Sequence, residues 1–353
     1  VTSIDVVRHN KNIIYAGTAS GGLWKSVSGG TSWEALFDKE EVASIGVVTI
    51  DPSNASTIWV GTGEGNPRNS LNGGFGVYKS MDAGKTWQHM GLEKTKNIHR
   101  LIVHPNDPNT IWVGAIGSPW VEHEERGVFK SSDGGESWEK VLYDIPGAGI
   151  ADLVIDPTNP NKLVAAMWEH RRWPWFFNSG GAASGIYVTH DGGETWDRKT
   201  GEHGLPKGEM GRIGLAIAPS MPDRIYAYVE SKENALYRSD DGGNKWYSVS
   251  KKGDSMLGNR PFYYADIYVD PKNENRVYSL HTQATASEDG GKNFQRWVNS
   301  AYIHVDNHAL YIHPDDPSFI VLGNDGGMEV TRDRGGSWHF MENLPIGQFY
   351  HVS

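Results

Sequence analysis

The chain has 353 residues, a net charge of −10 and no cysteine. Its acidity argues against a surface built to coat nucleic acid, and without cysteine there is no disulfide framework. No apolar run reaches membrane-spanning length, while 43 Gly and 17 Pro mark a chain rich in turns.

In chain order, the first predicted strand, Ser3-Ile4-Asp5-Val6-Val7, leads to the segment Ser26 to Trp33. That segment returns in stronger form as Ser80-Met81-Asp82-Ala83-Gly84-Lys85-Thr86-Trp87. Further copies run Ser131 to Trp138, Thr189 to Trp196, Ser239 to Trp246, Ser287 to Phe294 and Thr331 to Trp338. Six copies hold Asp82, Asp133, Asp191, Asp241, Asp289 and Asp333 at the third position, where the first holds Ser28. The closing aromatics recur every 44 to 58 residues, so the architecture is a repeat. Locally, each Asp can accept nearby backbone N–H groups and the glycines accept positive φ, which makes these six aspartates turn residues, not catalytic acids.

Each copy sits in a larger unit. In the third, the inner strand Arg100-Leu101-Ile102-Val103-His104 runs into the turn Pro105-Asn106-Asp107-Pro108, then into Thr110-Ile111-Trp112-Val113-Gly114. A loop follows, then the strand entering the octapeptide. Equivalent turns fall at Asp51-Pro52, Asp156-Pro157, Ala218-Pro219, Asp270-Pro271 and His313-Pro314. Four short strands per unit, without an amphipathic helical run, predict an all-β, seven-bladed β-propeller over residues 1–347. The octapeptides form its C–D turns. Residues 348–353 read as the start of a further blade or as a ring-closing strand, and the chain reads as a fragment of a longer protein.

In such a blade the A–B and C–D turns share one face, and the B–C and interblade loops share the other. The B–C loops here do not repeat, so their face is the predicted binding surface. They supply Glu64 and Arg68 in blade two, Trp120 in blade three, and Glu169, Arg171, Arg172 and Trp173 in blade four. The last loop offers two Arg among aromatics, suited to stacking on sugar or aromatic rings. His304-Val305-Asp306-Asn307-His308, at the start of the last inner strand, alternates onto one strand face and invites a channel metal ion. Its outer histidines would sit about 13 Å apart along a straight strand, which favours an adjacent pair such as Asp306 and His308 joined by Asp325. No cofactor is required by the pattern.

The octapeptide resembles the Asp-box, or BNR, repeat, over nearly the whole chain. Sialidases share that box, but residues 1–25 contain only Arg8 and no Phe/Tyr-Arg-Ile-Pro motif. The two-propeller xyloglucan-cleaving hydrolases are similar in their first blade, where a Thr-Asp-x-Gly-Gly segment carries a catalytic Asp. The matching segment here is Thr18-Ala19-Ser20-Gly21-Gly22, with Ala19 in the acidic position. With Gly61 to Asn66, Arg260 to Tyr264 and Gly323 to Gly327, the layout resembles the large bacterial BNR-repeat or sortilin-like glycosyl hydrolases. Seven-bladed photosystem assembly factors share the repeat type. The resemblance implies a second propeller in the full protein and a secreted, periplasmic or cell-surface location. Three functions follow as expectations: a propeller gripping a glycan or peptide polymer on its B–C face, a glycoside hydrolase drawing its carboxylates from Glu64, Glu169, Asp306 and Asp325, or a sortilin-like peptide or assembly receptor.

Overall fold

The computed structural model describes residues 1–299 and 303–347. Among these, the strands form seven antiparallel sheets in chain order, each of four strands apart from one extra hairpin strand in blade four. The inner strands Ser3–Val6, Ile45–Asp51, Ile98–Val103, Ala148–Ile155, Ile213–Ile217, Ile267–Asp270 and Asn307–Ile312 line the channel. Each blade takes all its strands from one stretch of chain, and blade seven packs directly against blade one. Residues 348–353, expected to start a further blade or close the ring, lie outside the described residues.

An isolated blade cannot bury both of its faces, so the core is divided among the seven interblade interfaces. One apolar cluster fills each of them. Trp59 and Trp112 are almost completely buried in two of these clusters, and Trp112 Nε1 reaches the next blade's octapeptide to donate to Gly192 O at 3.0 Å. Polar groups staple neighbouring inner strands. Asp5 of blade one accepts from Ile50 N of blade two, and Asp152 of blade four accepts from Leu215 N of blade five, each at 2.8 Å.

The repeated turns are explained by their own side chains. Asp82 Oδ1 accepts from Thr86 N at 2.9 Å and from Ser80 Oγ at 2.8 Å, while Oδ2 accepts from Thr86 Oγ1 at 2.7 Å. Those bonds, led by the Thr86 hydroxyl, hold the Asp82 carboxyl down at about 2. The glycine of this copy, Gly84, sits at φ 93°, a conformation that disfavours a side chain. The closing rings behave in two ways. Trp196 and Trp246 fold back to donate to Gly193 O and Gly243 O, whereas Trp87 and Trp138 donate to Leu36 O and Met90 O of the preceding blade. On the same face the Asp-Pro turns close on Asp51, Asp156 and Asp270, whose carboxylates accept the N–H two residues on. His104 and His313 do this through Nδ1.

Candidate functional site

On the opposite face, a cleft of about 310 Å³ opens between blades one, two and seven and the connector before blade six. Trp24, Glu64, Arg68, Tyr263, His308 and Asp325 contribute side chains, and Ala19 and Ser20 line one wall. Blade two needs a glycine run here: a Cβ at Gly65 would lie 2.0 Å from His99 Nδ1. That close approach turns the loop inward and places Glu64, only 4% exposed, at the cleft. Arg68 Nε donates to Glu64 Oε2 at 2.8 Å. Burial pushes the Glu64 carboxyl up, and the Arg68 bond only partly offsets this. Asp325 differs: burial, the largest single influence, would raise it, but the His308 hydrogen bond and the nearby positive charges together outweigh burial and the carboxyl lies below its ordinary value. Trp24 Nε1 donates to Gly21 O at 2.7 Å, which fixes the indole on the cleft wall.

Beneath the cleft the channel is plugged by paired charges. Arg100 bonds Asp152 and Asp266, each at 2.7 Å. Arg212, 1% exposed, donates to Asn66 Oδ1 at 2.9 Å and Tyr263 O at 3.1 Å. Against these charges lies a channel cavity of about 490 Å³, lined by inner-strand aliphatic residues together with Arg100, Asp152 and His308.

The expected site residues separate into groups. Glu64 and Asp325 come together in the cleft. Glu169 turns into its own loop, its Oε2 accepting from Ala183 N at 3.1 Å, and Asp306 accepts from Tyr264 OH at 2.5 Å. The expected alternation of His304, Asp306 and His308 along one strand does not occur. The strand begins only at Asn307, and Asp306 at φ 66° turns the chain just before it. His304 is exposed and bonds Val305 O through Nδ1, while His308 lies between Asn66 and Asp325. Among the described residues no three His, Asp or Glu side chains converge on one metal position.

In blade four the strand Leu163–Trp173 continues beyond the sheet and pairs with Phe176–Ser179 as a hairpin. Arg172 leaves this hairpin to donate to Asn69 Oδ1 at 2.7 Å and to Pro67 O, across the mouth, and stacks over Phe177. It clasps two loops rather than standing free. Arg171 lies 3.7 Å from Glu122 and over the Trp173 ring, Trp120 is half-buried, and Trp175 at the tip is 83% exposed. Asn66, His99 and Arg212 were missed as site residues. Only Asn66 had any sequence signal, within the glycine run Gly61 to Asn66.

The fold is a seven-bladed propeller, and the chain is similar in sequence to xyloglucanases. The family described as "Sortilin-Vps10: Sortilin, neurotensin receptor 3" matches residues 75–202. An oligoxyloglucan-reducing end-specific xyloglucanase of Emericella nidulans is 26% identical over 219 residues, covering 57% of this chain and 24% of the relative. The chain thus spans about a quarter of that protein. The GH74 xyloglucanase from Xanthomonas campestris superposes with a TM-score of 0.66 at 18% identity, covering 95% of this chain and 52% of that one. YCF48 from Cyanidioschyzon merolae gives 0.60 at 15% identity, with 94% of each chain covered. These two likenesses concern the fold. No helix among the described residues is long and apolar enough to cross a membrane.

Proposed function

We propose that this propeller binds a polysaccharide chain in the cleft on the face opposite the octapeptide turns. The observation that carries this reading is the cleft itself. An indole fixed on the wall, two carboxylates and an arginine surround a groove open to solvent, a combination that can stack on a sugar ring and bond its hydroxyls. The curated relatives are named for xyloglucan, so a xyloglucan-like polysaccharide is the first ligand to test. The full protein then works outside the cytoplasm and carries a second propeller.

Hydrolysis is the second reading, favoured by one observation. Glu64 is raised and Asp325 is lowered within one cleft, the divergence expected of a proton donor and its basic partner. Ala19 on the same wall supplies no acid. Titration calorimetry of the full-length protein with xyloglucan oligosaccharides, with reducing-end release followed in parallel, separates the readings. Binding weakened about tenfold or more in Trp24→Ala, with no release, supports a binding propeller. Release that Glu64→Gln abolishes while binding persists makes it a hydrolase. Failure to bind any of a panel of soluble plant polysaccharides overturns both.

A further inference from the structure

The side chain of Asp325 is open to solvent in the cleft, yet one of its oxygens is held by a nearly buried imidazole. Its Oδ1 lies 3.0 Å from His308 Nε2, while its side chain is 54% exposed and that of His308 only 7%. The far side of the same imidazole, Nδ1, lies 3.0 Å from Asn66 Nδ2. Asn66 Oδ1 in turn accepts from Arg212 Nη1 at 2.9 Å.

This chain has a direction fixed by donor chemistry. A guanidinium only donates, so the Asn66 oxygen must face Arg212 and its amide nitrogen must face His308. The amide nitrogen also only donates, so His308 Nδ1 accepts and carries no proton. The ring proton is then on Nε2, where it is donated to Asp325. Tyr264 stacks on the ring, with centroids 5.3 Å apart and planes 21° apart, and fixes its tilt. Arg212 is itself immobile, since it also donates to Tyr263 O and faces Asp266 Oδ2 at 3.9 Å.

We propose that His308 is a positioning residue for Asp325. Set by Arg212 and Asn66 as the Nε2–H tautomer, it holds Oδ1 and turns Oδ2 into the cleft as the acceptor for a ligand hydroxyl. The assignment of that hydroxyl to a glycan rests on the reading above, whereas the tautomer stands on the geometry alone.

The experiment has two arms. Nitrogen-15 NMR of the histidines, with His308 assigned through His308→Gln, should show the proton on Nε2 in the wild type. Asn66→Asp, which replaces the amide donor with an acceptor, should move it to Nδ1 or protonate both nitrogens. A wild-type ring protonated at Nδ1 overturns the proposal. In calorimetry with xyloglucan oligosaccharides, His308→Leu should weaken binding about tenfold, as loss of one oriented charge-assisted bond does. His308→Gln, which keeps a donor within reach, should recover most of it. Equal affinity in His308→Leu and wild type overturns the positioning role. If the wild type binds no glycan, the glycan reading fails, and the NMR arm alone decides the relay.

Discussion

Glu329 is 1% exposed on the third strand of blade seven, and its Oε2 accepts from Asn324 Nδ2 at 2.8 Å. Burial pushes its carboxyl up to about 7, against the ordinary 4.5. A carboxyl raised in the folded state stabilises the fold fully below its unfolded value. As pH rises from about 4.5 to 7, the unfolded chain releases its proton and the folded one does not, so that contribution is lost. The linked loss has an upper bound of about 3 kcal/mol. Gln at this position keeps an acceptor for Asn324 and cannot ionise. Glu329→Gln should therefore gain on the wild type in melting temperature between pH 5 and pH 8. Parallel curves for the two proteins across that range would show that the carboxyl is not raised.

At the scale of the turn and the blade, the seven octapeptides offer a comparison within one molecule. Asp333 Oδ1 accepts from Thr331 Oγ1 at 2.7 Å, but in blade one Ser28 Oγ lies 3.4 Å from Ser26 Oγ and has only one oxygen to share. Ser28→Asp should restore the carboxylate and stabilise the protein by about 1 kcal/mol, read from urea unfolding; a destabilised variant would mean that blade one has settled on a different turn. This motif was legible in the sequence because its chemistry is local: the Asp82 carboxylate bonds Ser80 and Thr86 within its own octapeptide. Blade order followed from the same repeats. The cleft was half legible. Loop variation pointed to Glu64, Arg68 and Asp325, but Arg212 meets Asn66 from 146 residues away and Asn66 meets His308 from 242. No periodicity records such pairings, because ring closure alone creates them. The alternation expected from His304 to His308 fails for a related reason: alternation predicts facing only inside a strand, and Asp306 at φ 66° lies before the strand begins.

For the whole molecule, the decisive junction is the one between blades seven and one, where the two ends of the described ring meet. Two kinds of contact hold it. On the turn face Arg8 pairs with Asp315 and Lys11 with Asp316, but Arg8 and Asp315 are 59% and 52% exposed. Exposed pairs of this kind contribute at most about 1 kcal/mol and weaken in salt. Inside, Val6, Ile14 and Ala16 of blade one meet Phe319, Val321 and Met328 of blade seven, with Val321 and Met328 fully buried. Removing a buried side chain here leaves a cavity between two sheets that cannot easily collapse, at a cost of about 2–5 kcal/mol. Met328→Ala should therefore lower the urea midpoint strongly and speed amide exchange in the inner strands Ser3–Val6 and Asn307–Ile312 ahead of the other blades. Arg8→Ala should leave the midpoint nearly unchanged and erase only a salt-sensitive increment. If Arg8→Ala opened those strands and Met328→Ala did not, the ring would be held by its surface charges, and the interblade core would lose its place as the source of closure.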